Sequence, residues 1–157
     1  MAHQLSRRSA CAMVAVLSAL AGPSWAMHPG DGYMWGDAPP VLAKGAKLAV
    51  LEGDPGKPGP YTVRLSMPAG YRIAPHYHTQ TENVTVVSGT LMVGMGDTFE
   101  TKGMKTYKPG GFISIPGSVH HFATAKSATE VQIHGTGPFD IIYLNPADDP
   151  QKGAMTK

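Results

Sequence analysis

One cysteine in 157 residues, Cys11, is all the thiol this chain carries. It lies near the N-terminus inside an apolar stretch, so no pair exists to form a disulfide and no cysteine cluster exists to hold a metal. Charge is equally sparse in net terms. Thirteen Lys+Arg stand against 11 Asp+Glu, and no basic stripe asks for nucleic acid or an anionic surface. Past residue 26 there is no run of ten or more residues with helical periodicity, and no apolar run long enough to span a bilayer. Stability must therefore come from a packed core of another kind. Glycine (19) and proline (14) are plentiful and spread through the chain, as in a polypeptide that turns often.

The N-terminus reads as a targeting segment. Arg7 and Arg8 form a positive start, 10–20 (ACAMVAVLSAL) is a short apolar core, and Gly22-Pro23 breaks it. Ser24-Trp25-Ala26 places small residues where a signal peptidase reads, so cleavage is expected after Ala26. Ser6-Arg7-Arg8 has part of a twin-arginine signal but lacks the bulky apolar pair after it, leaving Sec and Tat export both open. Removing 1–26 takes away two basic residues and no acidic one, and the mature chain is formally neutral. The expected organisation is a signal peptide (1–26), an extended arm (27–46), one barrel domain (47–145) and a polar tail (146–157), in a periplasmic or secreted protein with no membrane insertion. Tyr33, Met34 and Trp35 are the expected anchors of the arm, over a pocket mouth, against a partner subunit, or simply packed.

From Lys47 the chain reads as short strands between Gly/Pro turns: 47–52, 61–67, 73–78, 82–87, 90–95, 105–108, 112–115, 120–125, 129–134 and 139–144. Many short, evenly spaced strands indicate an all-β sandwich or barrel. Phe112, Ile113, Ile115, Phe139, Ile141 and Tyr143 are assigned to its core, and Met92 and Met95 to packing.

Two stretches carry chemistry. In 70–89 (GYRIAPHYHTQTENVTVVSG), His76 and His78 sit two apart on a strand, so their side chains share a face. Two imidazoles about 7 Å apart at Cβ can converge on one ion with bonds of about 2.1 Å. Glu82 adds a carboxylate from the start of the next strand. In 110–125 (GGFISIPGSVHHFATA), His120 and His121 are adjacent and face opposite ways, so one can join that face. Strand spacing alone does not choose between them. His134 shares a strand face with Gln132, and that face or the one bearing Val131 and Ile133 lines the interior. It is a weak candidate for a substrate contact.

These residues resemble the two motifs of the cupin superfamily. Gly70, His76, His78, Glu82 and Gly89 match the first motif with no spacing error, and Gly110 and Pro116 match the second. Counting on from Pro116 selects His121. Ser118 stands where that motif has its second glycine, and Ala125 where it has asparagine. The resemblance implies a single-domain double-stranded β-helix (jelly-roll) barrel with a metal held by His76, His78, Glu82 and His121. It implies one divalent transition metal (Fe, Mn, Ni, Zn or Cu) with two positions open, and a homodimer. Imidazole and carboxylate suit all five metals. Such a site fits an oxidoreductase of the dioxygenase kind on a small organic substrate. The alternative is a non-catalytic periplasmic protein that binds a metal, or a ligand through it, for sensing or storage.

Overall fold

The structure, a computed structural model, describes residue 32 and residues 34–153. The expected signal peptide and the anchor Tyr33 lie outside the described residues. The chain runs through β1 (Gly36–Asp37), β2 (Lys47–Glu52), β3 (Gly59–Met67), β4 (Arg72–Tyr77), β5 (Glu82–Ser88), β6 (Leu91–Met95), β7 (Lys105–Tyr107), β8 (Phe112–Ile115), β9 (His121–Ala125), β10 (Thr129–Gly137) and β11 (Ile142–Tyr143). A 3-10 turn (Pro146–Asp148) and one helical turn (Pro150–Gly153) follow. All strand pairs are antiparallel. They form a six-stranded sheet in the order β1-β2-β3-β10-β5-β8 and a five-stranded sheet in the order β11-β4-β9-β6-β7. This is the all-β jelly roll. No helix among the described residues is long and apolar enough to cross a membrane.

The period-2 pattern shows why the strands close on one core. Along β3, Tyr61, Val63, Leu65 and Met67 are buried while Thr62, Arg64 and Ser66 are half-covered. Val131 and Ile133 of β10 and Val84 and Val86 of β5 fill the same interior. Glu82 falls on that inward register of β5, so the strand's own alternation sends a carboxylate into an apolar core. Burying an ion there is costly without partners, and those partners come from the facing sheet.

Three expectations need correction. Met34 and Trp35 do not pack on their own domain; they are 89% and 41% exposed. The anchor is Leu42, buried in the core with Ala46, while Gly36 and Asp37 add a short strand against β2. Isolated strand pattern could not reveal β1, because both its residues are exposed. Phe112 is not core: β8 turns Ile113 and Ile115 inward and leaves Phe112 with Ser114 on the outside. The last strand is shorter than expected, because Phe139 bonds through its N–H to Pro55 O (2.7 Å) and the chain pairs with β4 only at Ile142 and Tyr143.

Two motif glycines illustrate different needs. Gly70 has φ 81 with open space where a Cβ would stand. Gly89 has φ 77, and a Cβ there would lie 2.1 Å from Ala128 O and 2.7 Å from Thr129 Cα. Gly70→Ala meets only the left-handed backbone penalty, about 1 kcal/mol. Gly89→Ala adds a backbone overlap that no rotamer relieves, and its loss in urea denaturation is expected to be several times larger, toward ~4 kcal/mol. Equal losses for the two variants would show that the hairpin yields freely at Gly89.

Candidate metal centre

Local backbone features bring the site residues together. His76 and His121 are direct cross-strand partners on β4 and β9. Register slips on β4 between Ile73 and His76, where Pro75 has no N–H to give to a ladder. The slip leaves Pro75 and His76 buried in succession, so simple alternation does not hold along this strand. His78 lies just past the strand's end and is still buried, as the HxH spacing required. Ser118 N donates to His78 O (2.8 Å) and ties this segment to the turn before β9. Ser118, at the motif's second glycine, adopts φ 66, the one positive φ of a non-glycine among the described residues.

His76, His78, Glu82 and His121 are all buried. Each of the three histidines presents a ring nitrogen, and the three nitrogens lie within 4.8 Å of one another. Their tautomers are set by backbone carbonyls, which can only accept. His76 Nδ1–H donates to Ala74 O (2.7 Å), His121 Nδ1–H to Val119 O (3.0 Å), and His78 Nδ1–H to Asp140 O. In its neutral form a ring held this way carries its lone pair on Nε2, the atom needed for metal ligation. Phe139 stacks on the His78 ring, with centroids 5.0 Å apart.

Glu82 Oε2 stands 3.3 Å from His78 Nε2 and 3.6 Å from His121 Nε2. Two ligands of one ion with bonds of about 2.1 Å are separated by about 3.0 Å at right angles and about 3.4 Å in a tetrahedron. The separations here are close to both. His78 Nε2 is the one buried side-chain nitrogen or oxygen among the described residues with no hydrogen-bond partner. An orphan of this kind asks for an explanation, and an ion on that lone pair supplies one. The residues present fit a divalent transition metal.

The electrostatics follow from burial and proximity. Burial, then repulsion from His121 and His78, pushes His76 down from 6.5 to about 3 and keeps it neutral. Burial raises the Glu82 pKa, but contacts with His121 and His78 outweigh it and hold the group well below its ordinary value. For His78, burial lowers the pKa, while Glu82 and the Asp140 carbonyl act the other way and leave it raised.

The site faces an interior cavity of about 50 Å³. Apart from the four site residues its lining is wholly apolar, with Leu65, Val93, Ile115 and Ile133 among the walls. At roughly 10–15 Å³ for a water, this is room for a few waters or a very small ligand. Phe139 and Ile141, expected only as core, belong to this lining, and so does Leu42 from the arm. The sequence offered no signal for Leu42 beyond one apolar residue in a Pro/Gly-rich stretch.

The remaining candidates stand apart. His134 is exposed on the outer face of β10 and does not line the cavity, contrary to the substrate contact expected of it. The buried face of β10 is the one with Val131 and Ile133. His120 points away from the site, with its Nδ1 2.7 Å from Asp97 Oδ1 and its ring near Tyr77. Neither Met92 nor Met95 lines the cavity.

The family model described as Cupin matches residues 61–137. No curated protein matches the sequence. Among solved structures, the polyketide cyclase RemF from Streptomyces resistomycificus is similar with a TM-score of 0.61 at 17% identity, covering 79% of this chain and 88% of its own. A candidate acetylacetone dioxygenase from Methylibium petroleiphilum is similar with a TM-score of 0.59 at 17% identity, covering 98% and 100%. KdgF from a Halomonas species follows at 0.53 and 19% identity, covering 69% and 91%. At such identities these likenesses speak for the fold. The family match spans both histidine motifs on that same fold, and the chain belongs to the cupin superfamily.

Proposed function

We propose that this protein is an exported, mononuclear metal-dependent oxidoreductase, dioxygenase-like, acting on a small organic substrate. The observation that carries the reading is the composition of the cavity wall: among the described residues, the only ionisable groups on it are His76, His78, Glu82 and His121. With all four engaged as ligands, the protein has no further acid–base pair to offer there, and the chemistry falls to the ion. When bound, the metal would supply Lewis acidity and electron exchange with dioxygen at its open positions. The chain's own part is to hold three Nε2 lone pairs and one carboxylate in place, to exclude bulk water with aliphatic walls, and to keep His76 neutral. The full-length likeness to a candidate acetylacetone dioxygenase is compatible with this reading. The small free volume, about 50 Å³, favours a second one, a non-catalytic metal- or ligand-binding protein. Oxygen uptake with 1,3-diketone and catechol-like substrates separates them: turnover supports the enzyme, and none across a broad panel supports the binding protein.

Elemental analysis of the purified protein is expected to give one transition metal per chain, and the His76→Ala, His78→Ala double variant is expected to have lost it. Wild type purified without stripping and still metal-free would falsify the centre.

The metal-free protein should also show a definite pH dependence. Because the folded-state pKa of His76 lies below 6.5, the unfolded chain takes up a proton that the folded chain resists. Stability from this group is complete above 6.5 and is lost as pH falls toward about 3. Glu82, also depressed, acts in the same direction below its ordinary 4.5, whereas the raised His78 opposes it in part. The unfolding free energy of the metal-free protein from urea titration should drop between about pH 7 and about pH 5, by at most about 2 kcal/mol from His76, and the drop should shrink in His76→Gln. An unchanged drop in that variant would remove His76 as its source.

Export belongs to the same proposal, on the strength of Arg7, Arg8, the apolar 10–20 and the Ser24-Trp25-Ala26 site. Intact-mass measurement on protein recovered from the periplasm is expected to give a chain beginning at Met27, and a chain retaining residue 1 would argue against cleavage.

A further inference from the structure

A second hollow, of about 380 Å³, shares Leu42, Leu48, Val63, Phe139 and Ile141 with the cavity of the metal centre. Side chains that line both spaces are the partition between them. The outer hollow is completed by Pro39 and Val41 from the arm and by Pro55 and Gly56 from the loop between β2 and β3. These rim segments lie outside the residues matched by the family model, 61–137. Among the described residues Asp140 is its single ionisable residue, and that residue is already tied to the segment bearing the histidines. Its Oδ1 accepts from Thr79 N (2.8 Å) and its carbonyl accepts from His78 Nδ1. Among the described residues, no lysine or arginine lines either space.

The geometry points to an elongated ligand, with an oxygen-chelating head at His76, His78, Glu82 and His121 and an apolar tail in the hollow walled by Val41, Pro55 and Ile141. This rests on the metal centre proposed above and specifies the substrate class it takes. A divalent ion and one carboxylate leave a single net positive charge, and with no lysine or arginine among the described residues lining either space the head carries at most one negative charge. The tail is apolar because the described residues lining the hollow are apolar apart from Asp140, whose Oδ1 is already held by Thr79 N, and it is slim because it must pass Leu42 and Phe139. The inner cavity alone, at about 50 Å³, holds no such tail.

Calorimetric titration of the zinc-loaded full chain tests this without any turnover, zinc having no redox chemistry. The probes are acetylacetone and straight-chain 1,3-diketones lengthened one methylene at a time. Affinity is expected to rise about fourfold per added methylene while the tail is being buried. Val41→Trp and Gly56→Trp, on separate segments of the rim, are expected to abolish that rise. Both should keep the zinc content and the acetylacetone affinity of wild type, and having two variants guards against one that misfolds. Zinc and acetylacetone that bind while affinity stays flat with chain length would overturn the hollow alone. That result would hold whether the space is closed, filled by the chain's own N-terminal residues, or covered by a second copy. Failure of zinc itself to bind would overturn the metal centre, and this inference with it.

Discussion

A carboxylate on the inward register of a β-strand, enclosed by aliphatic side chains, must find compensation nearby or the strand cannot keep that register. Glu82 finds it in His78 and His121, within 3.3 and 3.6 Å, and the third imidazole, His76, packs against both rings. This cluster is what joins the two sheets chemically. Glu82 comes from the six-stranded sheet, while His76 and His121 come from the five-stranded one. The aliphatic residues around it give cohesion, and the cluster gives the sheets a fixed relation to one another. A slip of one residue in β5 would turn Glu82 outward and bring Asn83 in.

The imidazoles are held from behind as firmly as from in front. Three carbonyls fix three Nδ1 protons, and two of these carbonyls lie two residues before the histidine they orient. A histidine free to exchange tautomers would present Nε2 only part of the time. Here the backbone removes that freedom before any ion arrives, and the entropy of ordering the rings is met during folding.

Much of this was legible in the residues. HxH on a strand, a carboxylate four on, and a glycine at each end specify positions whose roles follow from period-2 geometry and from φ. The strand limits of β2 and β8 could be read to the residue, because turn-forming Gly and Pro bound them. What escaped the sequence was whatever depends on contact with distant segments. Leu42 enters the core although its surroundings carry no periodicity, Phe112 is turned out by the register of β8, and Pro75 takes β4 out of strict alternation. The face of β10 that looks inward, and hence the exclusion of His134 from the cavity, likewise follows from packing alone. Ser118 shows a departure that the fold accommodates: the turn keeps its left-handed residue although a side chain is present, a strain of about 1 kcal/mol.

His78 differs from the other two histidines in one respect. Its carbonyl partner, Asp140, lies 62 residues downstream, next to the Phe139 ring that stacks on it. Loops at the rim of a β-barrel ordinarily drift in length and sequence with little effect on the interior. This one does not have that licence. An insertion near residue 140 would reorient the His78 imidazole without altering any of the four site residues, so the loop that follows β10 is as much a part of the site's geometry as the histidines themselves.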